Sequence, residues 1–146
     1  MYKQIMVPLD GSERAEQALP CAVQLATGMG STLHLVRVDD FFSSLAWAPI
    51  PAHLSPGVYE TELAQAKAYL TAEQERLTGE GLQVRTELLT GMAATSLLDY
   101  EQAAGIDLLV MCSHGRSGMA RFALGSVADR LLRHGTAPVL LGLHAL

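Results

Sequence analysis

Apolar positions along this chain fall into two kinds of run that alternate from one end to the other. Short dense runs occupy 5–9 (IMVPL), 32–38 (TLHLVRV), 108–111 (LLVM) and 138–141 (PVLL). Each is too short for a helix and is bounded by Gly, Pro, Asp or Ser, so each reads as a buried strand. The segment 83–89 (QVRTELL) instead alternates polar with apolar residues, as an edge-like strand does. Between the strands the spacing changes to that of a helix. Ala15, Ala18, Leu19, Ala22, Leu25, Ala26 and Met29 fall on one face of a first helix, which Gly28 or Gly30 stops. Its many alanines predict close packing against a sheet. A second helix covers 58–78, with Leu63, Ala66, Leu70 and Leu77 on one side and Gly79 and Gly81 closing it. Gly91 turns the chain into a third helix over 93–104, and a fourth covers 126–134.

The predicted order is β-α-β-α-β-α-β-α-β. Such regular alternation implies an α/β fold: a five-stranded parallel sheet with helices on both faces, Rossmann-like in architecture. In sheets of this kind ligands sit beyond the strand C-termini, where the strand order reverses. The first and fourth strands end at Asp10 and Cys112, so the loops after them are the natural pair to flank a crevice. One segment, 39–57, breaks the pattern. It carries Pro49, Pro51 and Pro56 with Phe41, Phe42 and Trp47, and reads as an irregular loop, a lid or a contact surface.

Composition narrows the function classes. A length of 146 residues predicts one domain over 1–146, and 49% apolar content supplies a sizeable core. Ten basic against 15 acidic residues give a net charge of −5. With no Lys/Arg stripe, nucleic-acid binding and adhesion to an anionic membrane are not expected. No apolar run is long enough to span a bilayer. Cys21 and Cys112 make neither a disulfide framework nor a zinc site, which points to a reduced, cytoplasmic protein.

The candidate chemistry lies in the stretch CSHGRSGMARFALGS (112–126), between the fourth strand and the fourth helix. Gly115, Gly118 and Gly125 allow a close backbone approach, Ser126 adds a hydroxyl, and a helix start offers unpaired N–H groups with roughly half a positive charge. The functional reading is a phosphate cradle. The plainer reading is a flexible loop in which Ser126 is only the N-cap, and the capping-box spacing of Ser126 and Asp129 supports it. Asp10 has the same two sides: a ligand contact, or a turn or N-cap residue before a helix. His114 reads as loop filler or a weak phosphate contact, and Arg116 and Arg121 as solvated cations or phosphate neutralisers. No Gly-x-x-x-x-Gly-Lys-Ser/Thr loop occurs, and no Gly-x-Gly-x-x-Gly follows the first strand. No side chains for phosphoryl transfer stand out, so no catalytic residue is assigned.

On these residues the chain resembles the universal stress protein family, from IMVPLD (5–10) to PVLL (138–141). Nucleotide-binding members carry Gly, two residues, Gly, nine residues, then Gly-Ser or Gly-Thr. Gly115 stands at the second glycine, Gly125 and Ser126 follow after nine residues, and Cys112 replaces the first glycine. The resemblance implies an adenine nucleotide alpha hydrolase-like fold that binds ATP, with Mg²⁺ held mainly by phosphates and water. It also implies a homodimer paired through the last strand and a stress-linked sensor or regulator acting on a protein partner. Hydrolysis would be absent or slow. By the same resemblance Pro8 and Asp10 lie on the nucleoside side, with Asp10 near the ribose, and Val38 meets adenine through its backbone. Met111 and Cys112 line the sugar and first phosphates, and Gly115, Gly125, Ser126 and Val127 hold the phosphate chain. If the first glycine serves a positive φ, Cys112 weakens binding; if it serves only space, binding survives. Two rival functions stay open: an enzyme, a slow ATPase or a nucleotide transferase using His114 or Asp10, and a nucleotide-free interaction module that uses the aromatic loop. Val139, Leu140 and Leu141 form an apolar edge that either pairs with a second copy or is short enough to stand alone.

Overall fold

A computed structural model describes residues 1–40, 56–112 and 124–142. Strands β1 (Gln4–Pro8), β2 (Thr32–Asp39), β3 (Gln83–Thr90), β4 (Leu108–Cys112) and β5 (Val139–Gly142) form one sheet in the order β3-β2-β1-β4-β5. All four pairings are parallel, with Met6 opposite His34, Ile5 opposite Leu108, Leu33 opposite Val84 and Cys112 opposite Gly142. The strand order reverses between β1 and β4, where the sequence places it. β3 is an edge strand, in keeping with its alternating pattern.

Alternation along the strands sends side chains into two cores. On one face Ile5, Val7, Leu33 and Leu35 pack with Leu19, Ala22 and Ala26 of α2 (Leu19–Met29) and with Leu70 and Leu77 of α3 (Pro56–Gly79). The predicted alanine face is buried there and brings α2 close to the sheet. On the other face Met6, Val36, Leu109 and Met111 pack with Leu97 of α4 (Ala93–Ala103) and with Ala128 and Leu131 of α5 (Ser126–His134). Burying each of these Leu, Ile or Met side chains is worth roughly 1.5–3 kcal/mol. Burial on both faces is why β1 and β4 read as unbroken apolar runs.

The first helix departs from the sequence reading. It is two helices, α1 (Glu13–Glu16) and α2, separated by a turn at Gln17 and Ala18. The cause is Pro20 in the first turn of α2: it has no N–H to give the Glu16 carbonyl, and its ring crowds that carbonyl. The periodicity hides this, because Ala15, Ala18 and Leu19 are buried on the same side of both pieces. The second predicted helix starts two residues early, at Pro56, a residue suited to a first helical turn. At the other end of the predicted irregular loop Asp39 belongs to β2, and residues 41–55 of that loop, with its aromatic residues, lie outside the described residues.

Two buried polar groups sit on the α4–α5 face. His34 is 1% exposed; its Nε2 donates to Gln4 Oε1 (2.6 Å), and its Nδ1 accepts from the Tyr100 hydroxyl (2.9 Å). Burial, with Arg85 nearby, holds its pKa below the usual histidine value and so favours the neutral ring. Glu101, 2% exposed, accepts from Thr136 N (2.7 Å), Thr136 Oγ1 (2.9 Å) and Ala137 N (2.7 Å). This carboxylate ties α4 to the connection between α5 and β5. A side chain at Gly135 would press on the same place: a Cβ there would lie 2.6 Å from Leu131 O and 2.8 Å from Glu101 Oε2.

Candidate functional site

A crevice of about 750 Å³ opens at the C-terminal end of the sheet, over the β1/β4 reversal. Its volume falls within the range of about 300–1,000 Å³ usual for small-molecule sites. Pro8, Asp10, Val38, Met111, Cys112, Gly125, Ser126 and Val127 all line it. The structure thus gathers every predicted site residue except Gly115, which lies outside the described residues together with Gly118, His114, Arg116 and Arg121.

One wall comes from β1, β2 and the turn after β1. Asp10 Oδ1 accepts from Ser12 N (2.8 Å), and Ser12, the N-cap of α1, accepts from Ala15 N through its hydroxyl (3.2 Å). The turn reading of Asp10 therefore holds, and the same residue also faces the crevice; the N-cap role falls to Ser12. Gly11 has φ +82°, and a Cβ there would lie 3.0 Å from Arg37 Nη1. Glycine supplies both the conformation and the space for that guanidinium. At the end of β2, Asp39 accepts from the Tyr59 hydroxyl of α3 (2.7 Å), and its carbonyl accepts from Gly91 N (3.0 Å). The bond to Asp39 raises the Tyr59 pKa and keeps the phenol protonated.

The opposite wall is the start of α5. Gly125 is the N-cap, with φ −60° and ψ 155°, and its carbonyl accepts from Asp129 N (2.9 Å). The amides of Ser126, Val127 and Ala128 precede the first intrahelical bond and have no acceptor within the helix. Ser126 is the first helical residue and not the cap. Its capping-box spacing with Asp129 is not used, because both Asp129 oxygens accept from Arg133 Nε at 3.0 Å. Cys112 forms the floor between the walls. No described residue other than glycine has a positive φ, so cysteine fits this strand end without backbone strain. Burial raises its pKa, so at neutral pH the thiol is uncharged and does not repel an anion.

The sequence reading missed Gly11, Arg37 and the α3 side of the crevice, which includes Leu63, Ala66 and Tyr69. A charge inside an otherwise apolar strand was the available signal for Arg37. Tyr69 packs against the core, lines the crevice and donates its hydroxyl to Glu16 (2.6 Å).

These features define a doubly wound α/β protein with a ligand-sized crevice at its switch point and helix amides along one wall. The family model described as "Universal stress protein family" matches residues 1–141. The chain belongs to the universal stress protein family. It is 28% identical to universal stress protein MJ0531 of Methanocaldococcus jannaschii over 145 residues, covering 97% of this chain and 82% of that one. The structure of MJ0577, a universal stress protein of the same organism, superposes with a TM-score of 0.84 at 24% identity, covering 100% of this chain and 99% of that one. A universal stress protein in complex with cAMP superposes at 0.70 with 23% identity, covering 97% and 96% of the two chains.

Proposed function

We propose that this protein binds an adenine nucleotide, ATP in the first instance, and acts as a dimeric cytoplasmic regulator in a stress response with little or no hydrolysis. The observation that carries the reading is the crevice itself: the Asp10 turn and the first residues of α5, whose amides have no acceptor within the helix, line one hollow over the strand reversal. The residues fit a nucleotide. The hollow has the volume, Gly125 brings main chain to its wall, and Cys112 adds no charge. Helix amides favour a phosphate chain, and Asp10 suits a ribose hydroxyl. The complex of a family neighbour with cAMP supports an adenylate ligand.

The binding roles of Pro8, Asp10, Val38, Met111, Cys112, Gly115, Gly125, Ser126 and Val127 belong to this proposal. Mg²⁺ would arrive with the phosphates and be held by them and by water. Among the described residues no group of three or more His, Cys, Asp or Glu side chains is arranged to hold a metal. The dimer would form through β5, which lies at the sheet edge and leaves Leu140 41% exposed. Strand pairing between two copies would satisfy that edge and cover the leucine.

Calorimetric titration with ATP and with adenosine tests the site. ATP should bind well below about 1 mM and adenosine more weakly. ATP binding no stronger than about 1 mM, or no better than adenosine, contradicts the phosphate role of α5.

A further inference from the structure

Arg37 is the only cationic side chain among the described residues that line the crevice. It leaves the C-terminal end of β2 partly buried, and its guanidinium lies over the main chain of Gly11, next to Asp10. Its flank faces the Tyr69 ring, with the guanidinium carbon 5.8 Å from the ring centroid. The Tyr69 hydroxyl is committed to Glu16, so the tyrosine offers Arg37 a face and no oxygen. Arg37 makes no ion pair among the described residues. A guanidinium drawn out of water needs an anionic acceptor, and its planar fork fits phosphate in a two-point hydrogen bond.

The position of this fork decides which phosphate it can serve. The 5′-phosphate chain belongs to the α5 wall. Arg37 stands on the other wall, beside the residue assigned to the ribose. Asp10 Oδ1 accepts from Ser12 N, and Asp39, Asp40 and Glu62 line the crevice too, so among the described lining residues Arg37 is the one side chain that can hold an anion by its charge. In nucleotide-binding α/β folds an acidic residue reads a bare ribose hydroxyl and a nearby arginine accommodates a ribose phosphate; here both face one crevice.

We propose that the crevice accepts an adenylate phosphorylated on the 2′ or 3′ ribose hydroxyl as well as on the 5′ position, with Arg37 holding the ribose phosphate. This rests on the nucleotide reading above and narrows its ligand class. The test is calorimetry on the full chain with AMP, ATP, adenosine 2′,5′-bisphosphate and adenosine 3′,5′-bisphosphate. One bisphosphate should bind about tenfold or more tighter than AMP, the gain of one charged hydrogen-bonded contact. In Arg37→Gln that ratio should fall to about one, and Arg37→Lys should keep part of it. Circular dichroism shows whether each variant is folded, and the wild-type ratio is decisive without either. If AMP or ATP binds and neither bisphosphate binds tighter than AMP, this inference fails and the nucleotide reading stands. The inference also fails if folded Arg37→Gln keeps the wild-type ratio. If none of the four ligands binds, the nucleotide reading fails and takes the inference with it.

Discussion

The two walls of the crevice differ in chemistry. The β1–β2 wall uses side chains: Asp10, Arg37 and Asp39, each set by a neighbour such as Ser12, Gly11 or Tyr59. The α5 wall uses main chain, the amides after Gly125. A side-chain wall can be specific, and single substitutions can rewrite it. An amide wall cannot be titrated, and of the substitutions only proline removes an N–H from it; it needs only a helix in the right place and nothing bulky before it.

The amide wall is then as secure as the packing that positions α5. Glu101 anchors the far end of that helix through Thr136 and Ala137. Glu101→Ala should leave those buried donors unsatisfied and cost about 3 kcal/mol, the largest effect expected, read as a shift in urea midpoint. An unchanged midpoint would detach Glu101 from the support of α5.

His34 lies in β2, below the side-chain wall. Its folded pKa is below its unfolded value near 6.5, so the unfolded chain binds more protons under acid conditions. Stability should be complete above pH 6.5 and fall as the pH drops from there toward the lowered folded value. Urea unfolding at about pH 7.5 and 5.5 checks this, with His34→Gln flattening the dependence. An equal slope in wild type and variant would show that other groups govern it.

Asp10→Asn keeps the oxygen that accepts from Ser12 and removes the charge. It should weaken ATP binding about tenfold with little change in stability, while loss of stability without loss of affinity would reduce Asp10 to a turn residue. Cys112→Gly should have the smallest effect. Restoring glycine should lower stability by about 0.5–1 kcal/mol and leave ATP affinity within about twofold. A large gain in affinity would mean that the cysteine obstructs the phosphates.

The sequence pattern carried much of this. Five strands and their order along the chain could be placed, because dense apolar runs are local signals; the site residues came with the family resemblance, and all but one of them line the crevice. What escaped depends on contacts distant in the chain. The break before α2 is masked because both pieces bury the same face. Arg37 looks like a solvated charge until Gly11 and Tyr69 close around it. His34 and Glu101 find the partners that satisfy them in the interior, Gln4, Tyr100 and the Thr136 turn, far away along the chain.

The central claim is that main-chain amides at the start of α5 hold a phosphate chain. Amide nuclear magnetic resonance of the full chain, titrated with ATP and then with adenosine, tests it most directly. The resonances of Ser126, Val127 and Ala128 should move together with ATP and stay nearly still with adenosine. ATP saturation that leaves those three resonances in place would contradict the account.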